Sequence, residues 1–366
     1  MPNPASNTTF FELNLLRVIG ICLVLYSHST PYLGWSPRFD WFIQHPGTIG
    51  LGIFFCLSGF LMQRSRNRQK DQFHWLNFLK KRFIRIFPLY WLAIVVFVIQ
   101  FHYLDIFHAS DFSPVWATVL THFSATQLFF VPRVSEIMTL WYIGALVPYY
   151  LLFTWTRQFK FRTFISINCT LLLIGIVLKL VLQSSPINVG DVRILLHYPT
   201  FLFGVVVGTF DPDLLWVKAK SNWLVILFGL PAIAYISVVG RDNINLGHAL
   251  TLGWHSFLHY GYCVVWSLFI ISLVFGVMNQ FSEQVKNHKS INHLSGTSYA
   301  VYLFHRPIYG LIYGSLIALN LDSILIQTLL FPVVTLLLFV VSDHLTRLDL
   351  QVIKPCLTQV LSSESR

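Results

Sequence analysis

Long apolar runs, separated by short polar or basic segments, make up most of this 366-residue chain. A helix that crosses a lipid bilayer needs about 20 mostly apolar residues, and ten runs of suitable length and character are present. They lie near residues 13–33, 47–63, 87–104, 138–155, 163–182, 194–210, 222–240, 257–278, 298–319 and 323–344. The pattern predicts an all-α integral membrane protein with about ten transmembrane helices.

One further apolar stretch, residues 113–132, is interrupted by polar residues and prolines. Pro114, His122, Gln127 and Pro132 all fall within it. We therefore predict a re-entrant or interfacial helix before the fourth span rather than another crossing. Counting this stretch as a full span would also reverse the side of every later loop.

The basic residues indicate how the chain is oriented. With the N-terminus inside, 19 of the 25 Lys and Arg residues fall on the cytoplasmic side and six do not. This distribution agrees with the positive-inside rule. We predict cytoplasmic termini, one membrane domain over residues 1–345, and a short cytoplasmic tail over residues 346–366.

The composition supports a membrane protein. Hydrophobic residues make up 55% of the chain and charged residues 11%, with a mean hydropathy of +0.63, whereas soluble domains carry about 25% charged residues. The five cysteines form no CxxC pair, so neither a disulfide scaffold nor a metal cluster is predicted. The basic residues of the predicted cytoplasmic side account for the net charge of +10, so nucleic acid is not an expected partner.

Ionisable residues inside an apolar span are candidates for function, because burying them in lipid costs about 2.5–3.5 kcal/mol each. Arg17 and His28 lie eleven residues apart in the first run, which places them near one helix face, about 16 Å apart along the axis. Alternatively, Arg17 extends to lipid headgroups and His28 only bonds a neighbouring helix.

Arg82 and Arg85 precede the third run at i,i+3 spacing and share a helix face. Two guanidinium groups on one face suit phosphate capture, because each offers a planar fork of donors. A positive-inside anchor on anionic lipids is the alternative, and it explains the neighbouring Lys80 and Lys81 well.

Three more residues have weaker signals. Ser58 places a hydroxyl in a span rich in small residues, which is more typical of helix packing. Trp141 begins an aromatic segment that could stack on a sugar, although aromatic belts are common at membrane interfaces. His305 is a second histidine within an apolar run. His255 and His259 have a metal-compatible i,i+4 spacing, but no carboxylate is near in sequence, and no metal is predicted.

Five elements follow one another along the chain: Arg17 with His28, then GLGIFFCLSGF (50–60), RFIRIFP (82–88), LWY (140–142) and SYAVYLFH (298–305). Taken in this order, they resemble the acyltransferase 3 family of membrane-bound acyltransferases over about residues 10–345.

The resemblance implies a role for each matched residue. His28 corresponds to the essential first-span histidine of the family, and it would act as the catalytic residue. Arg17, Arg82 and Arg85 would bind acyl-CoA, the last two as the RxxR motif. Supporting residues would be Ser58, Trp141 and His305. One departure stands out: many members have a pattern like WSLxxExxFY, whereas WYIGALVPYY (141–150) contains no carboxylate.

The implied activity is transfer of a short acyl group, most often acetyl, from cytoplasmic acyl-CoA to a hydroxyl of an extracytoplasmic carbohydrate. O-antigen, lipopolysaccharide and exopolysaccharide, or their lipid-linked precursors, are the expected acceptors. Acyl-CoA would be a co-substrate, with no bound cofactor. The expected location is a bacterial inner membrane, where lipid surrounds the protein. No oligomeric state is predicted.

Two mechanisms remain open at this point. His28 either takes the proton of the acceptor hydroxyl or attacks the thioester itself and carries the acyl group. A different class of function, a carrier or exporter of lipid-linked sugars or small solutes, would also place polar residues in a helical bundle. Its expected mark is an internal repeat with broken helices, and none is evident.

Overall fold

The computed structural model describes residues 11–33, 45–69, 74–100, 115–130, 136–184, 190–210, 223–239, 253–278, 289–321 and 323–363. Within these ranges the chain is helical, with short connecting turns and no strand. The predicted all-α class is therefore confirmed for this part of the chain.

The described residues form thirteen α-helices. They are α1 Phe11–Leu33, α2 Pro46–Gln69, α3 Trp75–Val98, α4 Val115–Phe123, α5 Gln127–Phe130, α6 Trp141–Thr156, α7 Phe161–Leu182, α8 Val192–Thr209, α9 Trp223–Val239, α10 Trp254–Met278, α11 Lys289–Ala318, α12 Ile324–Leu348 and α13 Lys354–Ser363. A 3₁₀ helix, Glu136–Leu140, leads into α6. A π-helical turn, Asp349–Ile353, joins α12 to α13.

Each of the ten predicted apolar runs overlaps one of these helices, although α3 begins well before the third run and residues 101–104 of that run lie outside the described residues. Within the described ranges, six segments are long and apolar enough by themselves to cross a membrane: Phe11–Ser29, Pro46–Arg68, Phe161–Leu182, Val192–Thr209, Ser256–Gly276 and Ile324–Val360. The outward faces of α7 and α12 carry exposed leucines, for example Leu173 and Leu336, as expected where lipid is the surrounding solvent. Ten spans and cytoplasmic termini stay predictions.

The interrupted stretch before the fourth predicted span forms two short helices. α4 has nine residues and α5 has four, so neither can cross about 30 Å of hydrocarbon. Ala125, between them, has a positive φ of 55°. The indole Nε1–H of Trp91 donates to the Phe123 carbonyl oxygen at 2.9 Å, and this bond ties α4 to α3.

Helices α1, α2, α8 and α11 pack closely around the centre of the protein. Glycines make the contact between α2 and α8 possible: a Cβ at Gly59 would overlap the Phe201 carbonyl oxygen, and a Cβ at Gly204 would overlap that of Cys56. The small residues of the second span therefore allow close helix approach, as the sequence predicted.

Replacing Gly59 by alanine is expected to destabilise the protein. The added methyl group meets backbone rather than a movable side chain, and overpacking of this kind costs typically about 1–3 kcal/mol. Thermal unfolding of the purified protein in detergent should show a lower midpoint. Gly261→Ala is the matched control, because its Cβ would only reach ordinary contact with Tyr235; equal midpoints for the two variants would contradict the prediction.

Candidate active site

Three arginines from two helices, α1 and α3, line one cavity. Arg17 comes from the start of α1, and Arg82 and Arg85 come from the first half of α3. The cavity has a volume of about 740 Å³, and we call it the basic cavity. A neighbouring cavity of about 430 Å³ shares all three arginines and adds Arg64 and Arg68. The structure therefore brings the predicted phosphate-binding residues together.

The guanidinium of Arg17 is held by neutral oxygen atoms. Its Nη1 donates to Asn14 Oδ1 at 2.8 Å and to Ser295 Oγ at 3.4 Å. The Ser295 hydroxyl also donates to Asn14 Oδ1 at 2.9 Å, and Asn14 Nδ2 donates to Asn292 Oδ1 at 2.8 Å. This network joins α1 to α11 and orients Arg17. Its positive charge is not neutralised by any carboxylate in the described ranges.

Arg82 rests on aromatic rings. Its Cζ atom lies 5.2 Å from the ring centroid of Phe78 and 5.8 Å from that of Tyr150. Stacking on aromatic rings fixes the planar guanidinium without consuming its hydrogen-bond donors. Arg85 and Lys81 line the same cavity, so α3 presents three cations to it.

His28 and His305 form a direct pair between α1 and α11. The distance between His28 Nδ1 and His305 Nε2 is 2.6 Å, and the two rings are nearly parallel, with centroids 4.9 Å apart and an interplanar angle of 9°. Both residues were predicted to be functional from their positions in apolar runs. The sequence contained no sign that they would contact each other.

The hydrogen bonds of this pair assign its neutral tautomers. His305 Nδ1 lies 2.6 Å from the Tyr302 carbonyl oxygen, and since a carbonyl only accepts, Nδ1 carries the proton. His305 Nε2 is then an acceptor, and His28 Nδ1 must donate to it. The lone pair of His28 is consequently on Nε2, the nitrogen available for chemistry.

The histidine pair adjoins the basic cavity without lining it. Tyr302, whose carbonyl accepts from His305, is a lining residue, and its hydroxyl donates to the Thr139 carbonyl at 2.6 Å. Tyr142 packs beside it, with ring centroids 5.6 Å apart. Both tyrosines line the basic cavity, and Tyr302 connects its wall to the histidine pair.

Ser58 lies in the same wall of the basic cavity. Its Oγ is 3.2 Å from the Tyr142 hydroxyl oxygen, and both residues line the cavity. Leu146 also lines it, at the position where the WSLxxExxFY pattern has glutamate. The apolar side chain there confirms that the fourth predicted span supplies no carboxylate to the cavity.

Trp141 packs against α8, and its role in sugar stacking stays a prediction. It is buried, its ring lies 5.2 Å from that of His197, and the Arg193 guanidinium carbon sits 4.6 Å from its centroid. Arg193 is in turn bound by Asp191, with Nε 2.9 Å from Oδ1. One face of the indole is therefore covered by a cation, and Trp141 acts here as a packing partner of α8.

No group of three histidine, cysteine or carboxylate side chains suited to a metal is found within the described part of the chain. His259 is buried and packs edge-on to His45, with ring centroids 4.3 Å apart. The side chain of His255 lies outside the described residues.

Several residues near these sites were not singled out from the sequence. His197 is fully buried in α8, and the rule that selected His28, an ionisable group inside an apolar run, would have found it. Asp349 and Lys354 line the basic cavity, but they follow the last apolar run, where no pattern distinguishes them from ordinary surface charges.

Comparison with known proteins supports the resemblance seen in the sequence. The family model described as an acyltransferase domain, that of acyltransferase 3, matches residues 10–343. No curated protein and no solved structure gives a significant match. Because the family model covers nearly the whole chain and the helices are apolar, this protein belongs to the acyltransferase 3 family of membrane acyltransferases.

Proposed function

We propose that this protein transfers an acetyl group from cytoplasmic acetyl-CoA to a hydroxyl of a cell-surface carbohydrate, such as O-antigen, lipopolysaccharide or exopolysaccharide, in a bacterial inner membrane. One observation carries the proposal: the cavity lined by Arg17, Arg82 and Arg85 adjoins the paired His28 and His305. Tyr302, which lines the cavity and bonds to His305, connects the candidate phosphate-binding groups to the candidate base.

The donor half of the proposal rests on charge and space. Acyl-CoA carries phosphates that cannot enter hydrocarbon, so its nucleotide must stay near an aqueous surface while the thin pantetheine arm reaches inward. Arginine binds phosphate through paired, charge-assisted hydrogen bonds. A cavity of about 740 Å³ falls within the range of about 300–1,000 Å³ usual for small-molecule sites.

The chemical step follows from the tautomer of the histidine pair. A sugar hydroxyl is a poor nucleophile at neutral pH, and His28 Nε2 would take its proton as the oxygen attacks the thioester carbonyl carbon. The carbon–sulfur bond then breaks, and the leaving thiolate of CoA recovers the proton from His28. The products are an ester on the carbohydrate and free CoA.

His305 would act as a positioning residue in this step. By accepting from His28 Nδ1 it fixes the base in the tautomer that leaves Nε2 unprotonated. It would also stabilise the imidazolium that forms when Nε2 takes the proton, as hydrogen-bonded partners of catalytic histidines do.

The same geometry would serve an acyl-enzyme mechanism, in which His28 Nε2 attacks the thioester and holds the acyl group before the carbohydrate arrives. The two mechanisms differ in what happens without an acceptor. A covalent route leaves label from acetyl-labelled CoA on the protein, whereas general-base catalysis leaves none.

The decisive experiment supplies membranes that contain the protein with labelled acetyl-CoA and the surface polysaccharide of the host, or its lipid-linked precursors. Label in a base-labile ester on the glycan, absent from membranes without the protein, is the expected result. If the protein neither binds CoA nor labels any glycan, the proposal is wrong, and the carrier alternative becomes the better explanation.

Replacing His305 by alanine is expected to lower kcat and to leave the KM for acetyl-CoA nearly unchanged. The loss should lie between about tenfold and 10⁴-fold, the upper value being the cost of a wrong histidine tautomer in a serine protease. His305→Gln supplies an acceptor oxygen for His28 Nδ1 and should recover part of the rate. Equal kcat values for the two variants would show that His305 has only a packing role.

A further inference from the structure

The segment after the last predicted span closes one side of the basic cavity. α12 ends at Leu348, and the π-helical turn and α13 then pack against α3, the helix that carries Arg82 and Arg85. Thr346, Asp349, Leu350 and Lys354 contribute to the cavity wall. All four lie beyond residue 343, where the match to the acyltransferase family model ends.

The π-helical turn brings Asp349 and Lys354 together. In such a turn residue i bonds residue i+5, and here the Lys354 backbone N–H donates to the Asp349 carbonyl. The side chains also meet, with Lys354 Nζ 2.5 Å from Asp349 Oδ2. In an ordinary α-helix, residues five apart point in clearly different directions, so this pair depends on the π geometry.

The pair leaves hydrogen-bonding capacity unused on both partners. The Asp349 side chain is 2% exposed, and its Oδ1 is buried without a hydrogen-bond partner in the described structure. The Lys354 side chain is 23% exposed, and its ammonium has three donors, of which Asp349 Oδ2 takes one. A ligand in the cavity can therefore reach the ammonium.

The charges of the basic cavity suit a highly charged anion. Its described lining residues include five cations and one carboxylate, Asp349; the cations are Arg17, Lys81, Arg82, Arg85 and Lys354. The formal balance is four positive charges. Acyl-CoA carries about four negative charges, two on its diphosphate and about 1.5–2 on the phosphate of its ribose.

We propose that Lys354 binds a phosphate of the nucleotide half of acyl-CoA, and that Asp349 holds its ammonium at the cavity wall when the site is empty. This inference rests on the proposed function, because it takes acyl-CoA as the donor. The C-terminal segment would then complete the donor site rather than form a separate tail.

Two other roles for the pair make different predictions. A structural clasp between the π turn and α13 would affect stability and the use of every donor equally. Binding to the phosphate of an anionic lipid headgroup would matter only when such lipids are present.

The test uses two donors that share the acyl-pantetheine arm. Acetyl-CoA has the nucleotide half, and acetyl-phosphopantetheine lacks it. Lys354→Ala leaves the buried Asp349 carboxylate without its partner, which is destabilising. The double variant Asp349→Asn/Lys354→Gln is therefore measured as well, because its two neutral amides can still hydrogen-bond to each other. Arg347→Ala is the control, since Arg347 is 62% exposed and pairs with Asp343.

Both variants should raise the KM for acetyl-CoA by about 10- to 100-fold, the effect of losing a hydrogen bond to a charged group. The KM for acetyl-phosphopantetheine should stay within about twofold, as expected for groups that do not interact. Equal changes for both donors, or no change for either, would overturn the proposal. So would an effect that disappears in nanodiscs of zwitterionic phosphatidylcholine, which contain no anionic lipid, because the ligand of Lys354 would then be an anionic lipid headgroup.

Failure of this inference differs from failure of the proposed function. If Lys354 has no role, the unmodified protein still transfers acetyl from acetyl-CoA and the variants match it. If the proposed function is wrong, the unmodified protein itself neither binds CoA nor acylates a glycan.

Discussion

Replacing His28 by alanine is expected to reduce acyl transfer by about 10²–10⁴-fold, the usual contribution of a general base, and to abolish it if His28 carries the acyl group. The reason is the position of His28, whose Nδ1 is bound to His305, so that Nε2 is the only ring nitrogen with a free lone pair. The measurement is the rate of label transfer at saturating acetyl-CoA with equal amounts of inserted protein.

His28→Asn separates chemistry from packing in this experiment. The amide nitrogen of asparagine can still donate to His305 Nε2, but the side chain cannot take a proton. We expect this variant to be as inactive as His28→Ala and to unfold at a temperature closer to that of the unmodified protein. His74→Ala is a matched control, because His74 is exposed and makes no side-chain capping bond. Normal acylation by a well-expressed His28→Asn protein would remove His28 from the mechanism.

Removing the paired arginines of α3 should weaken donor binding. A hydrogen bond to a charged group contributes about 1.5–3 kcal/mol, so Arg85→Ala should raise the Kd for CoA by about 10- to 100-fold. The double variant with Arg82→Ala should bind more weakly still. The kcat at saturating donor should change little, because neither side chain reaches the histidine pair.

The control for these variants is Arg162→Ala, an exposed arginine at the start of α7 predicted to lie on the same side of the membrane. It should leave the Kd for CoA unchanged. Arg85→Lys tests geometry, since lysine keeps the charge but lacks the planar fork, and partial recovery is expected. Unchanged CoA affinity in Arg85→Ala would instead favour the alternative in which these arginines only anchor the protein to anionic lipid.

The candidate site was predictable from the sequence as separate parts. Arg82 and Arg85 were selected because two guanidinium groups on one helix face suit phosphate capture, and the structure places both on one cavity with Arg17. Arg17 was selected because an ionisable group inside an apolar run is costly. His28 and His305 were selected for the same reason, but they are 277 residues apart, and no local pattern encodes a contact over that distance. The contact of Trp141 with Arg193, whose guanidinium covers one face of the indole ring, was not predictable from the sequence either.

The C-terminal segment was the least predictable part. The hydropathy pattern predicts no element after the last apolar run. No feature of the sequence distinguishes Asp349 and Lys354 from ordinary surface charges. Their pairing depends on a π-helical turn, and their place in the cavity wall depends on packing against α3.

The sequence by itself determined the helical class, the approximate bounds of the helices, and the ionisable residues among them, because backbone polar groups in lipid must bond within their own segment and only a helix achieves this. These properties depend on neighbours within about twenty residues. Only the tertiary structure decided which side chains meet. It placed the three arginines on one cavity, Lys354 against Asp349, and His305 against His28, and the last of these contacts assigns the tautomer of His28. Those contacts depend on how helices from distant parts of the chain pack together, with Gly59 and Gly204 setting one of the closest approaches.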